Sequence, residues 1–151
     1  LDSVRQSGLE GTVILPGFVP REELPVFYSA ACVVIYPTLY EGFGLPVLEA
    51  MACATPLVSS NISSIPEIAG DAALLVDPEN PHEISEAVQR LLTDKTLRAE
   101  LVSRGLMQVR EFTWHRVAEM TLKVFLGVAE KRRRLPCCQE ETGLAKKENG
   151  K

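Results

Sequence analysis

Two carboxylates eight positions apart, Glu41 and Glu49, frame the part of this 151-residue chain where residue types and spacing could do chemistry. Between them lie Gly42 and Gly44, then Pro46, then a run from Val47 to Ala54 that reads as a buried helix with Glu49 as its one charge. Glycine has no Cβ, so the backbone at 42 and 44 can take unusual dihedrals and come close to a ligand. Proline suits the first turn of a helix, where its missing N–H is no loss. The start of such a helix offers unpaired amides and the positive end of a dipole, a natural seat for phosphate. The two carboxylates would repel phosphate, but they can accept hydrogen bonds from sugar hydroxyls. Phosphate beside a polyol points to a sugar nucleotide. By spacing alone, two solvated charges flanking an ordinary loop are an equal alternative.

The elements that must position this segment alternate between short apolar runs and helical patterns. Strands are expected near 13–15, 32–36, 57–59 and 73–76, the second of them apolar on both faces as in a buried parallel sheet. Pro20 opens a helix carrying Leu24, Phe27 and Tyr28, with Pro25 forcing an irregular first turn. Pro46–Ala54 is the site helix. Ser64-Ile65-Pro66-Glu67 and Asn80-Pro81-His82-Glu83 are capping patterns for two more helices. A helix over about 96–110 has Gly105 weakening its middle, and Thr113 can cap a last helix with the apolar stripe Val117, Met120, Val124 and Val128. Trp114 and Phe112 are expected to anchor that helix. The alternation predicts an α/β fold, a Rossmann-like parallel sheet with flanking helices. A complete doubly wound nucleotide domain has about six strands, so the first strands are expected to be missing. Leu1 in place of Met agrees with a fragment or a trimmed chain.

Composition narrows the class. A hydrophobic content of 46% with 24% charged residues is globular. No apolar run approaches the ~18 residues of a membrane helix, and the start does not read as a signal peptide. The net charge of −4 hides an asymmetry: residues 1–130 hold nine Lys/Arg and seventeen Asp/Glu, whereas 131–151 is basic. An acidic body argues against nucleic acid as a partner. Residues 1–130 therefore read as one partial domain and 131–151 as a basic, polar tail expected to be disordered. The Lys131–Arg134 run is read mainly as solvated, with attraction to anionic lipid as the sharper alternative. Cys32, Cys53, Cys137 and Cys138 form no C-x-x-C pair, which suits a reducing, cytoplasmic compartment and no metal. Cys32 and Cys53 are expected to be small buried hydrophobes, and His82 and His115 surface residues. Asn61-Ile62-Ser63 is read as a chance glycosylation match.

The stretch from Glu41 to Cys53 resembles the E-x7-E signature of the retaining glycosyltransferases of family 4, the group 1 glycosyltransferases. Gly17-Phe18-Val19-Pro20, Ser64-Ile65-Pro66-Glu67, Gly70-Asp71-Ala72-Ala73, Asp77-Pro78 and Phe112-Thr113-Trp114 follow in that family's order, so the resemblance covers about Leu9 to Val128. It implies the C-terminal, donor-binding half of a two-domain enzyme of the glycogen-phosphorylase-like type. It also implies transfer of a hexose from a UDP- or GDP-sugar with retention, without a metal or other cofactor. By the same resemblance Glu41 is catalytic and bonds the donor sugar, Glu49 bonds the ribose, and Gly42, Phe43, Gly44 and Leu45 approach sugar and phosphates. The Gly17–Pro20 loop, with Val19, would lie near the base. An acceptor saccharide, free or lipid-linked, would be held by an N-terminal acceptor domain missing here, with peripheral contact at the cytoplasmic membrane face.

The chain departs from the family pattern in three places. Only Arg5 and Arg21 precede the motif, and no lysine occurs before Lys95, so the family's diphosphate-binding Arg/Lys pair is absent. The acceptor domain is absent too, so this chain alone is expected to be inactive. Ala54 replaces the family's glycine, and its methyl can shift the turn into Thr55-Pro56. A non-catalytic sugar-nucleotide-binding or assembly module is the alternative, and an epimerase of the same architecture a third reading.

Overall fold

The computed structural model describes residues 2–134. They form two compact units, one ending at Phe112 and one beginning at Thr113.

The first unit opens with α1 (Asp2–Gln6) and an irregular stretch that leads to α2 (Leu24–Ala30). A turn closed by Glu23 N–H to Pro20 O precedes α2, whose Pro25 lies in its first turn, where the missing N–H is harmless. Then β1 (Val34–Tyr36), α3 (Leu45–Ala52), β2 (Leu57–Ser60), α4 (Ile65–Ala69) and β3 (Leu74–Val76) alternate. The three strands form one parallel sheet in the order β1-β2-β3, with Ile35 level with Val58 and Ser59 level with Leu75. Helices α5 (Pro81–Thr93) and α6 (Lys95–Gln108), then a 3-10 turn over Val109–Glu111, complete the unit.

The central strand β2 is buried along its whole length, whereas β1 is only half-buried and exposes Ile35. The expected two-sided burial of β1 thus fails, because β1 is an edge of this sheet. The strand expected at 13–15 does not form. A strand persists only when its amides and carbonyls find a ladder, and no described strand lies beside Val13–Leu15, whose side chains are exposed.

The core lies largely around α3. Its Val47, Leu48, Ala50 and Met51 are buried with Leu57, Ile65, Ile68 and Ala69. Burying a side chain of this size contributes roughly 1.5–3 kcal/mol, so α3 is fixed by packing. It is also fixed by its ends. Ala54 N–H reaches Met51 O and Thr55 N–H reaches Ala50 O, both at 3.0 Å, the paired bonds of a left-handed helix terminus. Ala54 adopts the left-handed conformation there, with φ 56°, despite its methyl. Gly105 has a packing reason that its helix pattern does not reveal: a Cβ there would lie 3.0 Å from Met51 Cγ, so α6 approaches α3 closely only without one.

The second unit contains α7 (Trp114–Arg134), which Thr113 caps by accepting from Arg116 N–H at 3.2 Å. The helix extends through Lys131–Arg134; residues 135–151, with Cys137 and Cys138, lie outside the described residues. Val117, Met120, Val124 and Val128 are exposed, and so is Trp114, which corrects its expected role as an anchor. Phe112 packs edge-on against Phe43 instead, with ring centroids 6.1 Å apart. Among the described residues no helix is long and apolar enough to cross a membrane.

Candidate functional site

The Glu41–Glu49 segment starts where β1 ends. Pro37 stops the strand, the chain loops to Gly44, and α3 begins at Leu45, which places the loop at the carboxyl edge of a parallel sheet, where α/β folds bind ligands. Four serines at the end of β2 and just beyond receive this loop. Ser59 Oγ donates to Tyr36 O at 2.8 Å, Ser60 Oγ to Thr38 O, and Ser63 Oγ to Glu41 O at 2.7 Å. Ser64 Oγ donates to Phe43 O at 2.8 Å, with Glu41 O 3.0 Å away. Ser59 and Ser60 are fully buried, so losing a partner would leave a polar group stranded at about 1–3 kcal/mol. Ser64 thus does not cap α4 as its spacing suggests: its hydroxyl serves the site loop, and no side-chain cap bond forms. The second capping pattern does work, with Asn80 Oδ1 accepting from Glu83 N–H at 3.3 Å.

Each carboxylate is held by a tyrosine. Tyr28 on α2 donates its hydroxyl to Glu49 Oε2 at 2.9 Å. Tyr36, the last residue of β1, donates to Glu41 Oε1. The backbones behind both phenols are fixed in turn, since Thr55 Oγ1 donates to Tyr28 O at 2.7 Å and Ser59 Oγ to Tyr36 O. Burial, reinforced by the hydrogen bond to Glu49 and that carboxylate's charge, raises the Tyr28 pKa well above the ordinary phenol range. The hydrogen bond to Glu41, with burial second, pushes Tyr36 up to about 12. Both phenols therefore remain donors at neutral pH. Glu41 and Glu49 are half-buried and oriented, which sets aside the reading of two free solvated charges. Each keeps one oxygen that these phenols do not occupy. Among the described residues neither forms an ion pair.

Gly44 is the position where glycine is required. Its φ is 105°, and a Cβ would sit 2.8 Å from Ile65 Cδ1. As the residue before α3 it brings no capping side chain, and the Leu45 amide, in the first turn, has no intrahelical acceptor. Gly42 differs: its φ is not positive and nothing lies within 4 Å of where a Cβ would stand. Phe43 and Leu45 are exposed. Val19 is half-buried in a separate stretch ahead of α2, with no hydrogen bond to the segment among the described residues.

Two concavities of about 410 and 390 Å³ lie away from the carboxylates. One runs along β3 and α5, lined by Leu75, Glu86 and Arg90, and the other joins Cys32, Ala54, Lys95 and Arg98. We place the site by its oriented carboxylates and not by cavity size, because an open ledge can still bind once an opposing surface covers it. Cys32 is exposed and Cys53 half-buried, not the buried pair expected. The histidines are exposed as expected, His82 beside Glu86 and His115 beside Glu119. Sequence reasoning missed Tyr28, Tyr36 and the serines. A tyrosine ending a strand five residues before Glu41 was a readable signal, whereas Tyr28, 21 residues from Glu49, becomes visible only once α2 and α3 pack.

Residues 2–106 match the sequence model of the family glycosyl transferases group 1. O-antigen chain mannosyltransferase B of Escherichia coli is 42% identical over 122 residues, which cover 81% of this chain and 32% of that protein. Sucrose-phosphate synthase from Thermosynechococcus elongatus superposes with a TM-score of 0.77 at 31% identity, over 86% of this chain and 33% of that one. The C-terminal domain of a glycosyl transferase group 1 family protein from Francisella tularensis gives 0.65 at 33% identity, over 73% of this chain and 58% of that one. The chain thus spans about a third of the mannosyltransferase and of the synthase. With the motif, the parallel sheet and these matches in agreement, the chain belongs to the group 1 glycosyl transferases.

Proposed function

We propose that this chain is the donor-binding portion of a glycosyltransferase that moves a hexose from a nucleoside-diphosphate sugar to an acceptor saccharide with retention. The observation that carries this reading is the pair of tyrosine-held carboxylates on either side of the glycine-led start of α3. Glu41 accepts from hydroxyls of the donor sugar and is the catalytic carboxylate, and Glu49 accepts from the ribose. The amides of Phe43, Gly44 and Leu45 face the diphosphate, where leaving-group charge develops and preaimed donors act most strongly. Gly42 leaves room for the ligand to approach, and Val19 borders the base. The donor is a UDP- or GDP-sugar, and the reading requires no metal. The acceptor is met by a separate domain, so the chain by itself binds donor without turnover.

Calorimetric titration of the chain with UDP- and GDP-sugars tests the donor site. Hydrogen bonds to charged groups contribute about 1.5–3 kcal/mol, so Glu49→Ala should weaken binding by roughly 10- to 100-fold. No binding, or binding indifferent to Glu49→Ala, would count decisively against it.

A further inference from the structure

We infer that Tyr28 and Tyr36 are positioning residues, each holding one carboxylate of the pair so that its remaining oxygen is aimed at a ligand hydroxyl. The inference rests on the donor-site reading and assigns it two residues that neither the motif nor the family match singles out.

A glutamate side chain has three rotatable bonds, and fixing it on binding costs up to about 1.5–2 kcal/mol of rotamer entropy. Here the phenols fix it beforehand. The Tyr28 hydroxyl engages Glu49 Oε2 at 2.9 Å, and the Tyr36 hydroxyl engages Glu41 Oε1. In each case the second carboxylate oxygen is left for another donor. The phenols cannot drift, because both rings pack against the core cluster around α3. Their own carbonyls accept from Thr55 and Ser59, which are buried hydroxyls. Two parallel chains of contacts result, Thr55–Tyr28–Glu49 and Ser59–Tyr36–Glu41. Each runs from the interior through a tyrosine to one motif carboxylate. The raised pKa of both phenols keeps them donors through the neutral range.

The two chains should be separable by ligand. Glu49 is assigned to the ribose and Glu41 to the transferred sugar. Loss of the Tyr28 hydroxyl should therefore weaken a nucleoside diphosphate and its sugar ester alike, whereas loss of the Tyr36 hydroxyl should weaken the sugar ester alone. Phenylalanine keeps each ring in its packing, so Tyr28→Phe and Tyr36→Phe test the hydroxyl and not the fold.

The experiment is calorimetry of the 151-residue chain with UDP, GDP, UDP-glucose and GDP-mannose, on the wild type, the two phenylalanine variants, Glu41→Ala, Glu49→Ala and the double variants. We expect Tyr28→Phe to weaken every ligand that binds by about tenfold, and Tyr36→Phe to weaken only the sugar-bearing ligands to a similar extent. In the matching glutamate-to-alanine background each tyrosine change should have no further effect, since contacting residues that act through one another are non-additive. Tyrosine changes that cost as much without the glutamate, or that do not separate by ligand, overturn the inference and leave the donor site standing. Glutamate changes without effect, or no binding by the wild type, overturn both.

Discussion

Replacing Gly44 with alanine should destabilise the fold at the point where the site loop becomes helix. Two costs follow from the geometry. The backbone at φ 105° is one that an L side chain adopts at roughly 1–3 kcal/mol. The new methyl would also stand 2.8 Å from Ile65 Cδ1, and Ile65 is fully buried. Overpacking of that kind costs about 1–3 kcal/mol. Stiffening of the unfolded chain offsets about 0.4–1 kcal/mol, which leaves a net loss of roughly 1–5.5 kcal/mol. For a unit of this size that is a fall in Tm of about 4–20 °C. Gly42→Ala is the internal control, with no positive φ and nothing near its Cβ, and should stay within about 0.5 kcal/mol. Thermal unfolding followed by far-ultraviolet circular dichroism decides the matter. If Gly44→Ala melts within about 2 °C of the wild type, or if Gly42→Ala is equally harmful, the reasoning is wrong.

Ala54 offers the opposite sign. It sits at φ 56° in the left-handed terminus of α3, so Ala54→Gly should relieve backbone strain and raise stability by about 0.5–1 kcal/mol; a drop in the urea midpoint would refute this. Alkaline pH should expose the Tyr36–Glu41 bond. Because the Tyr36 pKa is raised to about 12 in the folded chain, against about 10 for a free phenol, its contribution is intact below pH ~10 and is lost as pH rises through ~12. Tyr36→Phe should therefore lose less stability than the wild type between these limits, measured by urea unfolding at intervals of pH; parallel curves would show that the bond contributes nothing.

What could be read from the sequence was what depends on near neighbours in the chain. The strands at β1, β2 and β3, the proline-led start of α3 and the Asn80 cap all follow from local pattern. So does the special backbone at Gly44, although its steric cause, Ile65, lies 21 residues away. The errors share a different origin. Val13–Leu15 has strand composition but lacks a ladder among the described residues, and Trp114 has an anchor's composition but is exposed. Ser64 has the spacing of a cap, but the carbonyls of Glu41 and Phe43 compete for its hydroxyl, and no spacing rule contains them. Gly105 reads as a weakness in a helix until Met51 is found against it. The carboxylates themselves were legible, whereas their aim is a tertiary property.

The serine and tyrosine contacts also set the smallest portable unit of this site. Grafting Glu41–Glu49 onto another scaffold would carry the charges and leave behind everything that directs them. The contacts close on themselves only between Tyr28 and Ile65: one tyrosine on the helix before β1, another at the strand's end, hydroxyls along and beyond β2, and the isoleucine that fits against Gly44. A transplanted segment with those limits would carry the hydrogen bonds that aim the carboxylates, while the packing of α3 on Ile68, Ala69 and α6 would have to be supplied by the new scaffold. A shorter one would be a peptide with two glutamates.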